Sequence, residues 1–139
     1  MYLDSSVLVK LYVAEPDAGE CSKKLEGTAL ASSELAYGEV CSALLAKERA
    51  GEISPETRIA AWATFLRDID EKVITLFPLN FLTVQMANEV MLEIHPHVPL
   101  RTLDALHLAT FRDVTAGPIH TADKRMKMAA RFLEFPVVE

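Results

Sequence analysis

The strongest constraint on the fold is the alternation of short β-rich segments with long helical ones along the chain. Five segments are predicted as strands: residues 1–4, 28–32, 73–77, 118–121 and 135–138. Helical patterns occupy the intervals, at residues 5–13, 17–26, 33–50, 55–71, 81–95, 100–113 and 124–131. This order is typical of a parallel sheet covered by helices on both faces. We therefore expect an α/β protein with a three-layer α/β/α architecture and a mainly parallel central sheet of about five strands.

Length and composition favour one compact domain spanning residues 1–139. Half of the residues are hydrophobic and 24% are charged, which is a globular balance. No apolar run approaches the ~20 residues of a membrane span, and no signal peptide is evident at the start. These features predict a cytoplasmic protein without a membrane partner. Cys21 and Cys41 lack metal-type spacing, so we interpret both as reduced packing residues.

The formal net charge of −6 argues against a general basic surface that would coat nucleic acid. Acids gathered in one site would leave the remaining surface closer to neutral, so a locally basic rim stays possible. Arg101, Lys124 and Arg125 are the basic residues nearest in sequence to the acids considered below. Each is more simply interpreted as a solvated surface charge.

Two acids interrupt apolar helix faces. At about 100° per residue, Glu39 shares an arc with four apolar residues, Leu35, Ala36, Ala43 and Ala46. Asp104 falls between Leu108 and Phe111 on a later helix in the same way. Carboxylates are seldom buried unless they are paired or bound to metal. We expect a cation to compensate both.

Two further acids follow predicted strands. Asp4 ends the first and Asp123 follows the fourth, and each could be an ordinary helix N-cap. In open α/β sheets, however, the ligand crevice lies beyond the carboxyl ends of the strands. Glu39 and Asp104 lie near the starts of helices that follow strands. The sequence therefore predicts a cluster of Asp4, Glu39, Asp104 and Asp123 in one crevice.

Four carboxylates in one crevice repel one another unless a cation neutralises them. Oxygen ligands suit Mg²⁺ or Mn²⁺ better than zinc, and such ions act on phosphate substrates. The four histidines have no zinc-type spacing. His107 is either a donor that orients Asp104 or a satisfied core histidine.

Four segments carry a resemblance that covers essentially the whole chain: "YLDSSVLVKLYVAEP", "SSELAYGEVCSAL", "LRTLDALHLAT" and "HTADKRM". In this order and spacing the chain resembles the PIN-domain nucleases, and closely the VapC-type toxins of toxin–antitoxin pairs. The resemblance implies that the family's four acids are Asp4, Glu39, Asp104 and Asp123. It also implies a supporting role for Thr121, while Ser6 is expected to hold the first carboxylate or a metal-bound water.

The resemblance further implies a Mg²⁺- or Mn²⁺-dependent endoribonuclease that cuts single-stranded or loop RNA, with tRNA or rRNA as plausible targets. A homodimer and neutralisation by a small antitoxin are also implied. Two alternatives stay in view. A non-catalytic or differently specific PIN-fold RNA-binding module would use the acids only as caps or ion-pair partners. A phosphoryl-transfer protein with an aspartyl-phosphate at Asp4 is disfavoured, because "SSVLV" supplies no second acid.

Overall fold

The computed structural model describes residues 1–14, 19, 25, 27–114 and 117–138. Within these residues four strands form one parallel sheet in the order β3-β2-β1-β4. The strands are β1 (Tyr2–Leu3), β2 (Leu30–Ser33), β3 (Ile74–Phe77) and β4 (Ile119–His120). The predicted parallel sheet is confirmed.

The fifth predicted strand, at residues 135–138, is reduced to one parallel bridge between Val137 and Ile119. It lies on the free edge of β4, where Ile119 donates to Pro136 O and accepts from Val138 N. Pro136 has no N–H to extend the ladder. The predicted strand at residues 28–32 also shifts to Leu30–Ser33, because β2 pairs residue by residue with all four positions of β3.

Six helices complete the described fold: α1 (Ser5–Leu8), α2 (Leu35–Arg49), α3 (Pro55–Asp70), α4 (Phe81–Ile94), α5 (Thr102–Asp113) and α6 (Lys124–Phe132). The helix predicted at residues 5–13 is shorter, since α1 passes into a 3₁₀ turn at Val9–Leu11. The helix predicted at residues 17–26 falls mostly outside the described residues, as does Cys21. Cys41 is a free thiol.

The core lies on both faces of the sheet. Consecutive strand residues point to opposite faces, and in β1 both Tyr2 and Leu3 are completely buried. Leu3 packs in the cluster built by α1, α2 and α3, which includes Phe65. Tyr2 packs in the cluster built by α4, α5 and α6, which includes Phe111. This arrangement confirms the three-layer architecture.

The sheet order determines where the site lies. Strands β1 and β4 are parallel neighbours, so the residues after them emerge side by side at one edge. The Asp4 backbone N–H donates to His120 O at 3.2 Å across this junction. None of the helices in the described ranges combines the length and apolarity that a bilayer span requires.

Candidate active site

Asp4 is the hydrogen-bonding centre of the site. Its side chain is buried, and Oδ1 accepts from Ser6 Oγ at 2.6 Å and from Val7 N at 3.2 Å. Oδ2 accepts from Thr121 Oγ1 at 2.5 Å. Burial raises the pKa of Asp4, and the hydrogen bonds from Ser6 and Thr121 act in the opposite direction. Asp4 is also the N-cap of α1, so the capping interpretation is correct without excluding a ligand role.

Thr121 and Ser6 connect the ends of β1 and β4. Thr121 Oγ1 donates to Asp4 and accepts from the Asp123 backbone N–H at 3.0 Å. Ser6 Oγ donates to Asp4 and accepts from the Ala122 backbone N–H at 3.0 Å. Each hydroxyl therefore uses its hydrogen on the Asp4 carboxylate and its oxygen on the β4 segment. These hydrogen bonds fix the Asp4 carboxylate relative to both strands.

Asp123 is the N-cap of α6. Its Oδ1 accepts from Arg125 N at 2.7 Å and from Met126 N at 3.1 Å. The cap thus places the carboxylate at the positive end of the helix dipole. Asp123 is half-buried, and Oδ1 is the oxygen that the cap uses.

Asp104 contains the most unusual atom of the site. It lies half-buried in the first turn of α5, and its Oδ2 is buried without a hydrogen-bond partner among the described residues. Burial is the main cause that raises the pKa of Asp104, and the charge of Asp123 raises it further. The backbone and charge of Arg101 act in the opposite direction. Buried polar atoms without partners are rare, and a bound cation would satisfy this one.

Glu39 is placed by a chain of hydrogen bonds. Its Oε2 lies 2.7 Å from His107 Nε2, and His107 Nδ1 lies 2.9 Å from the Tyr2 hydroxyl. Of the two interpretations of His107, the donor to Asp104 is wrong as to partner, because its hydrogen bonds go to Glu39 and Tyr2. The satisfied core histidine is confirmed, since the side chain is buried and both ring nitrogens have a partner. Glu39 is half-buried at the border of the apolar face, and Ala46 in its predicted arc is exposed. The buried face of α2 is therefore narrower than the helical wheel indicates.

The four predicted acids lie around this one region. Asp123 is linked to Asp4 through Thr121, and its charge acts on Asp104. The charges of Asp4 and Glu39 both act on Tyr2. Within the described residues, however, no three side chains of His, Cys, Asp or Glu converge on a single metal-binding point. The oxygen donors fit Mg²⁺ in type, since that ion retains several waters and is usually held by one or two carboxylates.

Sequence reasoning did not identify Tyr2 as a site residue. Its hydroxyl contacts His107, and its ring packs edge-on against Phe111 at a centroid distance of 5.6 Å. The available signal was a tyrosine on a fully buried strand two residues before Asp4. A buried tyrosine hydroxyl needs a hydrogen-bond partner, and the same face of the strand carries the site acid.

The Thr121 hydroxyl provides a test of this geometry. We expect Thr121→Val to lower the free energy of unfolding by about 2 kcal/mol, since a buried acceptor on Asp4 and the Asp123 N–H both lose their partner. Loss of an orienting group should also lower the ribonuclease activity that the sequence predicts by at least about 10-fold. Urea denaturation measures the first effect. Thr121→Ser retains the hydroxyl and is expected to restore most of both losses, and equal losses in the two variants would contradict this role.

Comparison with known proteins agrees with the fold. The model of the PIN domain family matches residues 1–131. Ribonuclease VapC46 of Mycobacterium tuberculosis is 36% identical over 141 aligned positions, which cover 99% of this chain and 95% of that protein. The crystal structure of M. tuberculosis VapC20, described as a sarcin–ricin loop cleaving toxin, superimposes with a TM-score of 0.72. It is 19% identical, and the match covers 99% of this chain and 98% of that one. The chain therefore belongs to the PIN-domain family and, within it, is a relative of the VapC ribonucleases.

Proposed function

We propose that this protein is a metal-dependent endoribonuclease toxin that hydrolyses RNA phosphodiester bonds and is neutralised by a cognate antitoxin protein. The observation that carries the proposal is the buried Asp104 Oδ2 without a donor among the described residues, beside the charge of Asp123. An acid in that environment is stabilised by a bound cation. The ribonuclease name of the 36%-identical relative supports the reaction.

The residues proposed to hold the metal are Asp4, Glu39, Asp104 and Asp123. The ion would be Mg²⁺ or Mn²⁺, which suits a set of carboxylate oxygens with retained waters. When bound, it would polarise the phosphoryl oxygens and supply an activated water for in-line attack. Ser6 and Thr121 support this set by holding the Asp4 carboxylate from two sides.

The protein's own contribution is to hold these acids in a fixed arrangement. Asp4 accepts three hydrogen bonds and Asp123 accepts two, so neither carboxylate needs to become ordered when a metal and substrate arrive.

RNA contacts are proposed for the basic residues beside the acids. Arg101 and Lys124 are exposed and Arg125 is half-buried, and Arg101 is close enough to influence Asp104 electrostatically. Arg101 is the N-cap of α5, and Lys124 and Arg125 are the first two residues of α6. They would bind phosphates on either side of the cleaved bond and offset the acidic net charge locally.

The proposed setting is that of a VapC-type toxin. It comprises a cytoplasmic protein with one nuclease domain over residues 1–139, a homodimeric state and a partner antitoxin. The activity named for VapC20 makes a ribosomal RNA hairpin loop the first substrate to test, with tRNA as the second.

The deciding experiment incubates the purified protein with a sarcin–ricin loop oligonucleotide and with bulk tRNA, followed by mapping of the new 5′ ends. We expect cleavage at defined positions with Mg²⁺ or Mn²⁺, loss of cleavage on addition of EDTA, and recovery when Mn²⁺ is restored. Cleavage that is unaffected by EDTA would overturn metal dependence. Retention of RNA in a gel-shift assay without any new 5′ ends would instead identify a non-catalytic RNA-binding module.

Metal binding can be measured without substrate. At a Mn²⁺ concentration about 100 times its dissociation constant, binding should stabilise the native state by about 2.7 kcal/mol. At roughly 3 °C per kcal/mol for a chain of this size, the Tm is expected to rise by about 8 °C. Asp104→Asn should abolish most of this rise. Asp113→Asn, an exposed acid at the other end of α5, is the matched control and should retain it.

A further inference from the structure

We propose that Tyr2 and His107 are positioning residues that fix the Glu39 carboxylate through a hydrogen-bond relay. The inference rests on the proposed function, because it assigns a role within the same site. Glu39 Oε2, the two ring nitrogens of His107 and the Tyr2 hydroxyl form a continuous chain with distances of 2.7 and 2.9 Å. His107 and Tyr2 are both buried, while Glu39 is half-buried at the end of the relay.

The hydrogen bonding within the relay follows from its donors and acceptors. A carboxylate offers only acceptors, so His107 Nε2 must carry the hydrogen that faces Glu39. The Tyr2 hydroxyl faces Nδ1 and can donate to it or accept from it, so the chain of hydrogen bonds is continuous in both cases.

The other neighbours of the Tyr2 hydroxyl do not need its hydrogen. Ser32 Oγ donates to Leu3 O at 2.6 Å, and Thr110 Oγ1 donates to Leu106 O at 2.9 Å. Both hydroxyls therefore already use their hydrogens on main-chain carbonyls. Neither hydroxyl therefore competes as a donor for His107 Nδ1, and the Tyr2 hydroxyl is the group that contacts this nitrogen.

The relay ties Glu39 on α2 to the strand that carries Asp4. Asp4 directly follows β1 with an extended backbone, two residues after Tyr2, so the two side chains lie on the same face. The Tyr2 ring cannot shift, since it packs edge-on against His107 at a centroid distance of 6.0 Å and against Phe111 at 5.6 Å. Strand β1 thus positions one acid directly and a second acid through His107. A long glutamate side chain would otherwise sample many rotamers at the edge of the crevice.

Two amide substitutions separate the two halves of the relay. His107→Gln places an amide nitrogen near the position of Nε2 and can still donate to Glu39. His107→Asn reaches only the position of Nδ1 and loses Glu39. We expect His107→Gln to cleave RNA within about 5-fold of the wild-type rate, and His107→Asn to lower the rate by about 30- to 100-fold. The Tm should fall by a similar amount in the two variants.

Tyr2→Phe removes one hydroxyl and preserves the ring packing. We expect it to lower kcat by about 5- to 10-fold with little change in KM for RNA. In a Glu39→Gln background the same substitution should change the rate by less than about 2-fold, because Tyr2 acts through Glu39. An equal effect of Tyr2→Phe in both backgrounds, or equal losses of cleavage rate in the Gln and Asn variants of His107, would overturn the relay.

A readout on the metal-free wild type needs neither activity nor substitution. Long-range ¹H–¹⁵N NMR should show that His107 Nε2 carries a hydrogen, as donation to Glu39 requires. A ring that carries its hydrogen on Nδ1 alone would overturn the inference. If Nε2 carries the hydrogen but no RNA is cleaved, the proposed function fails and the hydrogen-bond relay stands. If RNA is cleaved but Nε2 carries no hydrogen, the relay fails and the proposed function stands.

Discussion

Asp104→Asn is expected to lower the rate of RNA cleavage by about 10³-fold or more while the protein keeps its fold. The substitution removes a negative charge that the surrounding protein groups stabilise poorly. Its Oδ2 is buried without a hydrogen-bond partner among the described residues, and the charge of Asp123 acts on it unfavourably. The loss should appear in kcat/KM from initial rates of loop-RNA cleavage, because the proposed metal would lose a ligand charge.

Stability distinguishes this effect from damage to the core. Without metal, the substitution replaces a repelled carboxylate by a neutral amide of the same shape, so the Tm of Asp104→Asn should equal or exceed that of the wild type. Asp113→Asn on the exposed end of the same helix should change neither activity nor Tm. Retention of more than about a tenth of the wild-type rate by Asp104→Asn would exclude Asp104 from the catalytic set.

Asp4→Ala is expected to lower the rate of RNA cleavage about as much as Asp104→Asn does. Unlike Asp104→Asn, it should also destabilise the fold. Three donors, from Ser6, Val7 and Thr121, would lose their acceptor in a buried environment. Each unsatisfied buried donor costs on the order of 1 kcal/mol or more, so we expect the free energy of unfolding to fall by about 3 kcal/mol. At roughly 3 °C per kcal/mol, the Tm should decrease by about 9 °C.

Asp4→Asn is the matched variant for this prediction. Its amide retains one acceptor oxygen, so it should recover part of the stability but none of the activity. Thermal unfolding by circular dichroism and the loop-RNA assay measure the two quantities separately. Unchanged stability in Asp4→Ala would show that the Asp4 hydrogen bonds contribute little to the fold.

The layered architecture was predictable because it depends on local periodicity. Alternating strands and helices indicated a parallel sheet, and the structure has one with apolar clusters on both faces. The fifth strand was less predictable, since "FPVV" has strand character locally but forms one bridge, at Val137. Strand length depends on the partner available for pairing, and the sequence pattern does not contain that information.

The site was partly predictable for the same reason. Periodicity placed Asp104 and Glu39 on apolar faces, and strand ends placed Asp4 and Asp123 at one edge of the sheet. The partner of His107 could not be predicted, because Tyr2 and His107 are 105 positions apart and meet only through packing of α5 on the sheet. Helical spacing indicated Asp104 as the partner of His107, because the two residues are one turn apart. In the folded protein the His107 ring instead contacts Glu39 on α2.

The parallel pairing of β1 with β4 has a consequence for synthesis on the ribosome. The hydroxyl that holds Asp4 Oδ2 belongs to Thr121, which is translated 117 positions after Asp4. Until β4 is made and inserted beside β1, the nascent chain lacks Asp123 and the support for Asp4. The proposed site can therefore form only after Thr121 and Asp123 have been translated, and fragments that terminate before β4 should lack it.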